Sequence, residues 1–82
     1  LSSNIKYPTI SQETGSQGKV IVQFVVDKDG TISNPEVVRG VDPYLDKEAI
    51  RVISSMPKWT PGVQNGKKVR VKFTVPVSFR LQ

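Results

Sequence analysis

The stretch KKVRVKFTVPVSFRL, Lys67 to Leu81, decides the fold. Val69, Val71, Phe73, Val75, Val77, Phe79 and Leu81 alternate without a miss with Lys68, Arg70, Lys72, Thr74, Pro76, Ser78 and Arg80. Successive side chains of a strand point to opposite faces, so this pattern predicts one long strand with a buried apolar face and a wet, basic one. Pro76 has no N–H to give a ladder. At least one flank of the strand is therefore unpaired there, and the strand belongs at an edge.

Working back along the chain, Lys58 to Gly66 reads as a connection containing Trp59, Pro61-Gly62 and Asn65-Gly66. Before it, Asp42-Pro43 has the form of a helix N-cap and first position. Leu45, Ala49, Val52, Ile53 and Met56 recur at helical spacing, with Asp46, Lys47, Glu48 and Arg51 on the other side, and Pro57 blocks continuation. Lys19 to Asp27 is a strand with Val20, Val22, Phe24 and Val26 on one face. Asp27-Lys28-Asp29-Gly30 turns the chain into a return strand, Thr31 to Arg39. Ile32 and Val37 are an odd number of residues apart, which predicts a bulge at Asn34-Pro35, and Pro35 makes this strand a second edge. Pro8 and Gly15 bracket a short helix, Thr9 to Thr14.

The expected fold is α+β: a three-stranded antiparallel sheet of order 2-1-3 with two helices packed on one face. With 82 residues, a single domain is expected, 1–82, its core about 7–81. The longest apolar runs are a few residues, too short for a membrane span.

Composition narrows the chemistry. There is no histidine and no cysteine, which removes a Cys/His zinc site, a His-based triad, a thiol nucleophile and a disulfide framework. Asp46 and Glu48 lie two apart on a helix and point away from each other. Neither an enzyme nor a cofactor is expected. The Asp27/Asp29/Gly30 loop approaches a calcium-loop pattern, but its first position would be Val25, which cannot ligate, so it reads as a hairpin turn and no metal is expected. Gly15 and Gly18 precede a strand, whereas a phosphate cradle precedes a helix.

The net charge is +5, and residues 57–82 carry six Lys/Arg and no acid, so the excess lies in the C-terminal third. Such a patch invites acidic partners. Sheets that read nucleic acid carry exposed aromatics for base stacking, whereas Phe73 and Phe79 fall on the apolar side, so nucleic acid is not the expected partner. Trp59 reads as a packing anchor. What remains is the last strand itself. An open edge offers main-chain hydrogen bonds to an added peptide strand, and Lys68, Arg70 and Lys72 would favour acidic neighbours on it.

The ordered set Tyr7-Pro8, Gly15-x-x-Gly18-Lys19-Val20, Phe24-Val-Val-Asp-Lys-Asp-Gly30, Leu45-Asp-x-Glu-Ala49, Met56-Pro-Lys-Trp59-x-Pro-Gly62, Asn65-Gly66-Lys67 and Phe73-Thr-Val-Pro-Val77-x-Phe79 resembles the TonB C-terminal domain family, especially the form common in Bacteroidetes-type bacteria. The resemblance covers about residues 7–81. It implies the periplasmic domain of an inner-membrane-anchored energy transducer. Such a domain captures the TonB box of outer-membrane TonB-dependent transporters by strand addition, while inner-membrane proton-channel partners energise the whole protein. The anchor and linker are not in this chain, so transduction cannot reside in it alone.

The resemblance places the box-binding strand on Val69, Arg70, Val71, Lys72, Phe73, Thr74 and Val75. It adds Gln12, which matches a glutamine that touches the box in some relatives. Ser11 stands where relatives often have Ala, and Lys68 where many have Pro. A proline at Val71 or Phe73 is the substitution expected to test this strand. The alternative is a TonB-like scaffold domain fused to another membrane protein, and self-pairing of the edge leaves a homodimer open.

Overall fold

The computed structural model describes residues 5–81. In chain order the elements are α1 (Thr9–Thr14), β1 (Gly18–Val26), β2 (Ile32–Arg39), α2 (Pro43–Ser54), β3 (Gly62–Gln64), β4 (Lys67–Val69) and β5 (Val71–Phe79). Strands β2, β1 and β5 form an antiparallel sheet in that order, which is the expected 2-1-3 arrangement. Val20, Val22, Phe24 and Val26 of the central strand are all fully buried, as their alternation requires. Leu45, Ala49 and Ile53 of α2 close over them, joined by Val77 and Phe79 of β5.

The punctuation works as its chemistry dictates. Asp42 caps α2 by accepting the Leu45 N–H at 2.7 Å, with Pro43 at the first position. Burial pushes the Asp42 carboxyl up, but hydrogen bonds from the Leu45 N–H and the hydroxyls of Ser16 and Ser11 outweigh it and leave it below its ordinary value. Ser11 is fully buried, and its hydroxyl reaches the Asp42 carboxylate at 3.0 Å, tying α1 to the start of α2. The expected bulge is present: Gln23 pairs with Glu36 and Val25 with Ser33, so Asn34 and Pro35 together oppose Phe24, with Asn34 at φ 50. Gly30 takes φ 89 in the first hairpin, and a side chain there would also strike the carbonyl oxygen of Trp59. The Trp59 N–H in turn donates to the Gly30 carbonyl at 2.9 Å. The indole lies edge-on to Phe24, with centroids 5.0 Å apart, and tilted on Phe73 at 5.4 Å. Trp59 is thus the packing anchor its isolation suggested.

Two expectations change. The segment after Trp59 is more than a connection. Gly62–Gln64 and Lys67–Val69 form a second, two-stranded hairpin about Asn65-Gly66, both at positive φ (53 and 77) as a tight two-residue turn requires. The long basic strand therefore changes partner along its length, pairing with β3 up to Val69 and with β1 from Val71. The chain passes Arg70 with neither turn nor bend, so it stays extended while its neighbour changes.

The second change concerns Glu48, which the spacing put on the polar side of α2. It is buried because its carboxylate is fully occupied. The Lys6 N–H donates to one oxygen at 2.7 Å, and Arg51 holds both oxygens, each at 2.7 Å. The hydrogen bond from Arg51 outweighs burial, and with the Lys6 N–H it keeps the Glu48 carboxyl below its ordinary value. A depressed folded pKa means the interaction contributes fully above the unfolded-chain value and fades as pH falls through the folded one. Glu48→Gln is expected to cost about 1–2 kcal/mol near pH 7. It should also lose less stability between about pH 7 and about pH 3 than the parent does. Urea unfolding at the two pH values checks both.

Candidate functional site

The candidate edge is built by alternation. Across the first hairpin the Asp27 N–H donates to the Thr31 carbonyl at 2.8 Å. N–H groups turn to opposite flanks at successive residues of a strand. On β1, odd-numbered residues therefore face β2 and even-numbered residues face β5. The register joins Val26 to Val71, Phe24 to Phe73, Val22 to Val75 and Val20 to Val77. Odd residues of β5 thus exchange hydrogen bonds with β1, while Lys72, Thr74, Pro76 and Ser78 turn their main chain away from it. Pro76 agrees with this phase: a residue without an N–H is tolerated where that group would have pointed to solvent. Among the described residues no strand pairs with β5 on that flank.

The expected site residues separate accordingly. Val71, Phe73 and Val75 are partly buried and bonded to β1, so they shape the edge from its apolar side. Lys72 and Thr74 are exposed and carry the open N–H and C=O groups. Arg70 lies between the two sheets and pairs through Nε with Asp27 Oδ1 at 2.7 Å. Val69 belongs to β4 and pairs with Gly62. Gln12 is on α1, exposed, with its side-chain amide donating to the Tyr7 carbonyl at 3.2 Å.

The structure does not bring Gln12 to the others. Its helix is moored at the Phe79 end of β5, where the Tyr7 ring stands edge-on to Phe79 at 5.6 Å and the Leu81 N–H donates to Gln17. From there to Val75 is four residues of strand, about 13 Å. The near-calcium loop is otherwise engaged. Asp27 accepts from Arg70 and from the Ser33 hydroxyl. Asp29 accepts from the Thr31 N–H, which draws its carboxyl below the ordinary value.

Sequence reasoning did not reach the hairpin that carries Lys68, although Asn-Gly between alternating residues is a strong hairpin signal. Nor did it reach the phase of the open amides, for which Pro76 alone was the available sign.

The profile of the family described as "Gram-negative bacterial TonB protein C-terminal" matches residues 3–81. The chain belongs to this family. Protein TonB of Haemophilus influenzae is 34% identical over 79 residues, covering 92% of this chain and 29% of that protein. Protein TonB of Pseudomonas aeruginosa is 31% identical over 78 residues, covering 93% and 22%. The chain therefore spans under a third of the length of these TonB relatives. The fold agrees: the solution structure of a Helicobacter pylori TonB C-terminal domain superposes with a TM-score of 0.75 at 26% identity, over 99% of this chain and 73% of that one. A second solution structure of the H. pylori TonB domain gives 0.71 over 95% and 82%.

Proposed function

We propose that this chain is the periplasmic docking domain of a TonB-type energy transducer. It receives an N-terminal segment of an outer-membrane TonB-dependent transporter, the TonB box, as an added strand. The observation that carries the reading is the unpaired flank of β5, where Lys72 and Thr74 present main-chain donors and acceptors beside a basic side-chain row. Membership of the TonB C-terminal family supports it. The chain acts by binding, not by catalysis. In the whole protein an inner-membrane anchor and proton-driven partners supply the pull, and this domain transmits it.

The test is a backbone-amide NMR titration of the domain with synthetic peptides from the N-terminal segments of TonB-dependent transporters. Shifts are expected over Val69–Val75. Gln12, at the far end, responds only when a bound segment runs the length of β5. Absence of shifts across a broad peptide panel, with the domain folded, overturns the reading.

A further inference from the structure

The open flank does not stop where β5 stops. Gln64 and Lys67 flank the Asn65-Gly66 turn and exchange hydrogen bonds, so Lys67 and Val69 face β3 while Lys68 faces away from it. Lys67 and Val69 share the phase of Val71 and Phe73, and the chain does not bend at Arg70. β3 and β1 therefore lie on the same flank of one continuous extended segment, β3 taking up the ladder where β1 ends. Two contacts agree. Gly62 at the start of β3 packs so closely over Val71 that an added Cβ would strike it. Trp59, three residues earlier, is bonded to Gly30 in the turn that follows β1. The opposite flank then carries open N–H groups at Lys68, Arg70, Lys72 and Thr74 in one row. Pro76 ends the row at one side and the Asn65-Gly66 turn ends it at the other.

The same phase places the side chains of Lys68, Arg70 and Lys72 on the wet face beside these amides. Arg70 has a partner in Asp27, whereas Lys68 and Lys72 form no ion pair among the described residues. Asp27, diagonal to Lys72 just past the end of β1, is already held by Arg70 and the Ser33 hydroxyl. Glu36 lines the same surface hollow as Lys72 but stands on β2, two strand spacings or about 10 Å away. A second copy of this chain added here in two-fold fashion would bring two basic rows together, which opposes self-pairing.

Resting on the strand-addition reading, we propose that the docking edge runs from Lys68 to Thr74 across both sheets. It selects an extended peptide with acidic side chains at alternate positions facing Lys68 and Lys72. The β3–β4 hairpin is part of the binding site, and Pro76 fixes its end.

The test has a ligand-free arm and a binding arm. In native-state amide exchange, Lys68, Arg70, Lys72 and Thr74 are expected to exchange at least about a hundredfold faster than Val69, Val71, Phe73 and Val75. Protection of Lys68 or Arg70 in the uncomplexed domain overturns the proposal. The binding probe is a blocked nine-residue peptide of alternating glutamate and valine, compared with its glutamine and lysine counterparts. The glutamate peptide is expected to protect the four amides together. The exposed double change Lys68→Glu and Lys72→Glu should weaken it about tenfold at low salt, and the lysine peptide should not bind. Equal binding of the glutamate and glutamine peptides, protection confined to Lys72 and Thr74, or a peptide-induced dimer overturns it. Failure of every transporter peptide alongside success of the glutamate peptide removes the transporter reading and leaves this one. The reverse pattern removes this one alone.

Discussion

A domain carrying Phe24→Ala is expected to lose a large part of its folding stability and to unfold at much lower urea than the parent. Phe24 sits near the C-terminal end of the central strand with no exposed surface, and its ring meets both Trp59 and Phe73. Truncating a buried Phe costs about 3–5 kcal/mol, because the removed atoms leave a cavity that the surroundings only partly fill. At this site Trp59 would lose its edge-on partner as well, adding about 0.5–1.5 kcal/mol. A chain of this size has roughly 4–12 kcal/mol to lose in total. Urea unfolding followed by Trp59 fluorescence and far-UV circular dichroism reads the loss directly. The exposed Val63, changed to Thr, should move the midpoint by less than about 0.5 kcal/mol and serves as the control.

The second large effect separates binding from folding by a shift of one residue. Thr74→Pro is expected to leave the domain folded and to weaken peptide docking about ten- to a hundredfold, since one open donor is lost and a partner carbonyl is stranded against the ring. Pro76, two residues on, already occupies that phase within the same strand. Phe73→Pro removes a bond to β1 instead and is expected to unfold the sheet, at a cost of about 3 kcal/mol or more. The structure thus relocates the diagnostic proline from Val71 or Phe73, whose amides face β1, to Thr74. Circular dichroism together with the peptide titration distinguishes the two variants. Folded Thr74→Pro protein with undiminished binding would place the docking edge elsewhere.

Much of this was legible in the residues. Val20, Val22, Phe24 and Val26 announce a half-covered strand, Asp42-Pro43 a helix start, and the odd spacing of Ile32 and Val37 a bulge, because each depends on neighbours close in sequence. What was not legible depends on distant groups. Glu48 has the look of a surface residue until Lys6, 42 positions away, donates to it. The change of partner at Arg70 leaves no mark on the pattern, since alternation is the same beside β3 as beside β1. Face and flank are also separate properties. Hydropathy reports which face a side chain takes, but the flank to which an amide turns follows from the hairpin bond between Asp27 and Thr31.

The mooring of residues 5–7 has a mechanical consequence. The Lys6 amide is held by Glu48, and the Tyr7 ring rests on Phe79, so in the proposed transducer a pull on the N-terminal end would enter the domain at one end of β5. The open amides begin about 16 Å away at Thr74 and continue to Lys68, about 36 Å away. Force crossing between the two must run lengthwise along the strand. A segment bonded to that edge and pulled from its Lys68 end would then be loaded in shear, its hydrogen bonds straining together and not parting one at a time from an end. Such a joint is weak to assemble and strong to pull.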